Sequence, residues 1–449
     1  MLKERVAAFI RHPKKSLFIL ASPVIVGMIV QTLYNLVDTA YVGRLGAESI
    51  AALTFSFPIF FILIAINAGM AAGMGSRISR YLGENNKTAA ENTAMHGLLI
   101  SLILSFLLVF FGHLVLEPLF LLLGASGNVL KLAMDYTSII LMGVVFMLPG
   151  YILNSIFSAQ GDTKTPMKIQ ISALIINIIL DPIFIFGFGL GVKGAAIATV
   201  IAFTMALLIA IYYIKTVSHL HIHTSSYHFS PFIIRNIVTV GIPASMVMLL
   251  MSVYIMIINR FMAHFGTDYV ASFGLASRLE SVAVLPVAGL SMALLTLVGI
   301  FEGAKQYHLI KSISWFAIKI SVLATSFVGL VFFGFPYIIL RIFTSDPTLL
   351  SFGGAYLRID VFTFPLMAVT MSISRIMQGM GYGFPGFMIN LIRVFAVSIP
   401  LAYLFVFILG YSYLSVAVAM VLGSLTASVI AVSWLEIKLK KKSALKASS

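Results

Sequence analysis

The sequence predicts an all-α integral membrane protein of twelve transmembrane helices in two pseudo-symmetric six-helix lobes. Three observations carry this. Only 10% of the 449 residues are charged and the mean hydropathy is +1.06, against roughly 25% charged residues in ordinary soluble domains. Apolar runs of about 20 residues or more, the length a helix needs to cross a bilayer, recur from end to end. Residue identities also repeat at a spacing of 220: Pro23 with Pro243, Tyr34 with Tyr254, Gly46 with Gly266, Gly69 with Gly289, Gly83 with Gly303, Tyr136 with Tyr356 and Gly161 with Gly381. An even number of spans per half gives both halves the same orientation, related by an axis along the membrane normal.

The spans are expected near 16–42, 50–76, 92–115, 131–156, 168–187, 193–214, 236–263, 270–298, 309–333, 349–376, 386–409 and 413–437. The repeat divides the chain into an amino-terminal lobe at 1–214, a linker at 215–235 and a carboxy-terminal lobe at 236–449. With the amino terminus placed in the cytoplasm, twenty Lys and Arg from Lys3 to Lys446 fall on the inside, and only Arg44, Lys131, Lys193 and Arg341 outside. That bias puts both termini and the linker in the cytoplasm of a multi-pass inner-membrane protein. The formal charge of +14 is thus the footprint of orientation and anionic lipid, and no nucleic-acid partner is expected. The basic start followed by an apolar run resembles a signal peptide, but the run is too long and lacks a clear cleavage site, so it reads as the first retained span. No cysteine is present, which removes disulfide and thiol chemistry.

Within the first span, Asp38 needs a reason, because an acid near the middle of a membrane helix costs on the order of 3 kcal/mol on insertion scales. Gln31, Tyr34, Asn35 and Asp38 share one face of about 100° at 100° per residue. Pro23, earlier in the same helix, removes a hydrogen bond and is a candidate hinge. The fifth span repeats the pattern with Gln170, Asn177 and Asp181 on one stripe. Counted from the outer turns at 1.5 Å per residue, Asp38, Asp181 and Thr199 of the sixth span all lie ~7 to 10 Å below the outer boundary. Two acids, an amide and a hydroxyl at one level suit a shared proton. The oxygens of Asp38, Asp181, Asn177 and Thr199 suit Na⁺ equally, and no other metal or cofactor is expected. At the 220 spacing Asp38 meets Ile258, and Asp181 meets Leu401 or Pro400, so the second half is expected to pack without these acids.

The remaining charges read more plainly. Arg278 with Glu280, and Arg358 with Asp360, lie near outer helix ends and are expected to pair or snorkel; Lys319 and Arg393 are expected to reach toward the inner headgroups. His219, His221, His223 and His228 alternate with apolar residues, lack an acidic partner and suit a solvated or lipid-facing linker better than a metal site. Gly187-Phe188-Gly189-Leu190-Gly191 precedes a membrane helix rather than following a strand, so it is no nucleotide loop. His96 and His113 offer no reactive pair, which disfavours an intramembrane enzyme.

Together, Gln31-Thr32-Leu33-Tyr34-Asn35-Leu36-Val37-Asp38, Ala159-Gln160-Gly161-Asp162-Thr163-Lys164, Asn177-Ile178-Ile179-Leu180-Asp181-Pro182 and Gly191-Val192-Lys193-Gly194-Ala195-Ala196-Ile197-Ala198-Thr199 resemble the MATE family of multidrug and toxic compound extrusion transporters. The resemblance covers essentially the whole chain and is strongest to the DinF branch. It implies a V-shaped molecule with a central cavity. It also implies a monomer that exports amphipathic, often cationic compounds in exchange for H⁺ or Na⁺, with Asp38, Asp181, Asn177, Tyr34 and Thr199 at the coupling site and Pro23 at the bend. The NorM branch carries acids in helices seven and ten; here Met248 to Tyr254 has none and Asp360 lies toward an outer end, so a carboxy-lobe sodium site is not expected. The rival reading is a flippase for a lipid-linked oligosaccharide or peptidoglycan precursor, disfavoured because the amino-lobe stripes hold acids and no base. Apolar cavity walls are easily supplied by 22 Met and 36 Phe.

Overall fold

A computed structural model describes residues 2–220, 222 and 227–447, and side chains except those of 2, 35, 36, 39, 40 and 443–447. A short α1 (Leu2–Arg11) leads into α2 (Pro13–Gly43), α3 (Ala47–Gly83), α4 (Lys87–Leu122), α5 (Gly127–Ala159), α6 (Lys164–Pro182) and α7 (Val192–Thr216). The second half comprises α8 (Pro231–Ala263), α9 (Thr267–Gly303), α10 (Tyr307–Gly334), the short α11 (Pro336–Leu340), α12 (Pro347–Asp360), α13 (Thr363–Gly379), α14 (Phe384–Leu391), α15 (Ile399–Tyr403) and α16 (Leu414–Ala447). Among the described residues eleven helices are long and apolar enough to cross a membrane, and α12 with α13, bent by 50°, makes a twelfth if the pair is taken as one span. No strand occurs among the described residues.

Several helices outrun the expected spans. Hydropathy sees only the apolar stretch, whereas a helix continues to its cap; α3 runs to Gly83 rather than 76, and its 37 residues extend about 55 Å. Its end is mirrored in the other half. Asn85 and Lys305 both adopt φ 56°, and the N–H groups of Asn86 and Gln306 bond back to the carbonyls of Tyr81 and Phe301 at 2.9 and 2.8 Å, the six-to-one closure of a left-handed helix stop.

The tenth span departs from the continuous helix expected at 349–376. Pro365 has no N–H for the Val361 carbonyl and its ring crowds the preceding turn; the chain turns at 361–362, and the Thr363 hydroxyl donates to the Asp360 carbonyl at 2.7 Å. The fifth and eleventh spans loosen into π-helical turns: Ile183–Gly187 directly follows Pro182, and Ile392–Ser398 and Leu404–Ile408 flank Pro400. One π turn recurs at the same place in both halves, at 183–187 and 404–408, offset by 221 because the second half carries one extra residue there.

The repeated glycines explain themselves where the halves meet. A Cβ on Gly69 would run into Ser245 and the Gly241 carbonyl of α8, and one on Gly289 into Ile25, with the Ala21 carbonyl of α2 close by. Likewise a Cβ on Gly83 would strike the Ile300 carbonyl, and one on Gly303 the Arg80 carbonyl. Each partner set is the other shifted by 220, so one pair of contacts is built twice about a pseudo-twofold axis. All lie in the part of the helices nearest the face that carries both termini, hereafter the basic face. Small residues there let backbones touch, the usual means of tight helix packing in membranes. Gly83→Val and Gly303→Val are therefore expected to open this seal, at an overpacking cost of about 1–3 kcal/mol. Thiol labelling of a single cysteine placed beside the seam would rise in both variants, while Gly274→Val, where a Cβ meets nothing within 4 Å, would label like the parent.

Candidate cation and substrate site

Four helices of the first half converge on one polar point. α2 brings Tyr34 and Asp38, α5 brings Tyr136, α6 brings Asn177 and Asp181, and α7 brings Thr199. α6 packs against α2 and α7 with Thr165, Ile169, Asn177 and Asp181 buried toward the bundle, while Ile175 and Ile179 on its other side are exposed. Asp181 is 0% exposed and Asn177 1%. The Asp38 and Asp181 carboxyl groups lie within electrostatic range of each other, close enough for one proton to be shared between them. Asn177 Nδ2 donates to Asp181 Oδ1 at 3.3 Å and to Thr199 Oγ1 at 3.5 Å. Thr199 uses its own proton on the Ala195 carbonyl at 2.9 Å, so its oxygen is left to accept from Asn177, and the Tyr34 hydroxyl lies close by.

The arrangement is short of donors. Asp38 Oδ1, Asp181 Oδ2 and Asn177 Oδ1 are all buried without a hydrogen-bond partner. Each such oxygen costs about 1–3 kcal/mol if nothing meets it. Three acceptors facing one spot suit a cation, a proton donor on a cargo molecule, or water. They do not suit an anion.

The sequence-derived set is partly assembled here. Asp38, Asp181 and Thr199, expected at one depth, lie together with Asn177 and Tyr34. Gln31 lies two turns from Asp38 and accepts from Gln170 Nε2 at 2.9 Å, tying α2 to α6. The Asn35 side chain lies outside the described residues. Pro23 is buried within a helix that continues unbroken from Pro13 to Gly43. Tyr136 was missed as a site residue, although it is buried within electrostatic range of Asp38, Tyr34 and Asp181; it had entered only as a repeat match.

The second half overturns two expectations. Ile258 is buried at the counterpart of Asp38, but acids at other positions lie inside: Asp360 is 1% exposed at the bend of the tenth span, and Glu280, Asp360, Tyr254 and Tyr356 lie within electrostatic range of one another. Asp360 is therefore a buried residue at a helix break rather than a helix-end charge, because Pro365 ends α12 inside the protein. Arg393 does not reach the headgroups. It is 6% exposed, donates from Nη2 to Met251 Sδ at 2.8 Å and lies 5.9 Å from the Tyr254 ring centroid; the π turn of 392–398 turns it inward. Of the other charges, Arg278 is exposed and Arg358 sits 5.4 Å over the Tyr337 ring. The repeat held the signal: Tyr254 and Tyr356 are the counterparts of Tyr34 and Tyr136, so tyrosines at equivalent places mark the polar cluster of each half.

The linker is pinned where it is described. Gln160 Oε1 accepts from the His219 N–H at 3.0 Å, the Asn92 side chain pairs with the His228 backbone at 2.9 and 3.1 Å, and His96 Nε2 accepts from the Ser230 N–H at 3.0 Å. His221 and His223 lie outside the described residues, and among those described no His, Asp and Glu group could hold a metal.

Comparison with known proteins agrees with this architecture. The chain is 28% identical over 403 residues to the FAD transporter of Shewanella oneidensis, covering 88% of each protein. It is 25% identical over 407 residues to the multidrug export protein MepA of Staphylococcus aureus, covering 90% of each. A crystal structure of MATE in the bent conformation superposes with a TM-score of 0.94 at 29% identity, over 99% of both chains. The MatE family profile matches twice, at residues 23–183 and 243–404, once in each half; the chain belongs to the MatE family of membrane transporters and is not an enzyme.

Proposed function

We propose that the protein is a secondary antiporter that exports amphipathic, often cationic small molecules in exchange for H⁺ or Na⁺ by alternating access. The observation that carries this reading is the buried Asp38–Asp181 pair, in which one oxygen of each acid and Asn177 Oδ1 lack a partner, in a chain whose relatives include a multidrug export protein. Two acids gathered in one buried site suit a shared proton, which favours H⁺ as the coupling ion. If Na⁺ serves instead, Asp38, Asp181, Asn177 and Thr199 hold it.

The face carrying the termini is the cytoplasmic one, by its excess of Lys and Arg, and the protein sits in the inner membrane. The glycine seal then closes the cytoplasmic side and the site communicates outward. Lobes 1–214 and 236–449 move as units about the linker at 215–235, in a protein that works as a monomer of DinF type. Proton uptake from outside neutralises the carboxylate that held a cationic cargo, so the cargo loses its electrostatic partner and leaves. The mobile part is α2, where Pro23 lacks an N–H and bending costs least. Only a gradient is consumed, so no cofactor is required.

One observation favours a second reading of the cargo. Arg393 is a buried base whose Nε has no partner, and one relative is a transporter of FAD, so the second half could receive an anionic group.

Efflux from proteoliposomes with the pH and Na⁺ gradients imposed separately is expected to respond to the pH gradient. Asp38→Asn and Asp181→Asn are expected to abolish coupled efflux of a cationic dye, and unchanged rates would remove the basis of the mechanism. Tyr136→Phe, which removes a buried hydroxyl within electrostatic range of Asp38 and Asp181, is expected to slow efflux of the same dye. For the second reading, Arg393→Gln should selectively impair efflux of a flavin dinucleotide; equal effects on dye and dinucleotide would rule it out.

A further inference from the structure

A groove of about 460 Å³ lies outside both polar clusters, with Phe18, Ser22 and Ile25 of α2 on one wall and Pro286 of α9 with Ile320 and Ala324 of α10 on the other. Its lining is apolar except for Ser22. Phe18 is 46% exposed, so in a membrane the groove opens toward lipid. Three features separate it from ordinary lipid-facing surface. First, it crosses the seam between the halves, beside the point where Gly289 lets α9 close on Ile25 and Ala21 of α2. Second, helix prolines border it on both sides, Pro286 in its wall and Pro23 next to Ser22.

The third feature is charge. Lys14 Nζ lies 4.9 Å from the centroid of the Phe316 ring, and that ring packs edge-on against Phe18 in the groove wall at 6.1 Å. Lys319 is exposed one turn further along α10, next to groove residue Ile320; helical side chains tilt toward the helix start, which here lies on the basic face. Among the described residues no carboxylate pairs with Lys14 or Lys319. The groove begins about 8 Å along α2 from its start and ends about 18 Å along it, within the leaflet adjoining the basic face.

We infer that this groove is a specific site for an anionic phospholipid of that leaflet, with one acyl chain lying between the halves and its phosphate held by Lys14 and Lys319. Naming the leaflet cytoplasmic rests on the topology proposed above. The occupant touches α2 on one side and α9 and α10 on the other, so it binds only while the seam is closed. By linkage, it stabilises that state against the one in which α2 bends away. Charge selects the occupant: two unpaired ammonium groups at the mouth of an apolar trough fit an anionic amphiphile and disfavour the cationic compounds proposed as cargo.

The test is native mass spectrometry of the full-length protein released from nanodiscs of phosphatidylcholine containing increasing phosphatidylglycerol. Preferential retention of phosphatidylglycerol is expected. It should fall about tenfold or more in the Lys14→Gln/Lys319→Gln double variant, given the attraction of each basic residue to an anionic surface. Ala324→Trp, which fills the trough without touching charge, should lower it too. Lys311→Gln, exposed nearer the start of α10, should leave it unchanged. Equal retention of the two lipids, retention unaffected by the double variant, or displacement of the lipid by a cationic dye would each overturn the assignment. Efflux is not read in this assay, so a failed lipid site and a failed antiport mechanism are distinguishable: the second shows only in the Asp38 and Asp181 variants.

Discussion

The constraint on which the rest of the structure depends is that two carboxyl groups, Asp38 and Asp181, share one buried place with too few donors around them. In water such a pair would be unremarkable. Inside a bundle of apolar helices it persists only because Asn177, Thr199, Tyr34 and Tyr136 are held around it by α2, α5, α6 and α7. Three oxygens still lack partners. In the mechanism proposed above, this unmet demand for positive charge is the basis for coupling: whichever proton or cation meets it changes the electrostatics felt by a cargo nearby.

A site of this kind drives transport only if it is reached from one side at a time. The duplicated glycine contacts, Gly69 and Gly83 in one half and Gly289 and Gly303 in the other, supply the closure on the basic face. The two halves share this closing machinery and the placement of Tyr34 with Tyr254 and Tyr136 with Tyr356. They differ in what those tyrosines face: acids on α2 and α6 in the first half, Glu280 and Asp360 with the base Arg393 nearby in the second.

Much of this was legible from residue order alone. Counting residues inward from turns placed Asp38, Asp181 and Thr199 at one depth, since helix rise is constant and membrane helices are nearly straight. The same assumption failed where helices are not straight. Pro365 breaks the tenth span and carries Asp360 into the interior, and the π turn at 392–398 redirects Arg393, so distance from a helix end misjudged both residues. Tyr136 escaped because a lone tyrosine in an apolar span has no charge to account for; its repeat partner Tyr356 would have drawn attention to both. Close glycine packing was visible only as identities at a fixed spacing, and their purpose needed the neighbouring helix.

Cation release on cargo binding tests the coupling site most directly. In detergent solution at low buffering, with Na⁺ absent, a cationic cargo titrated into the protein should expel protons, seen with a pH indicator, and the signal should vanish in Asp38→Asn and Asp181→Asn. Proton release that survives unchanged in both variants, with cargo still bound, would contradict the account.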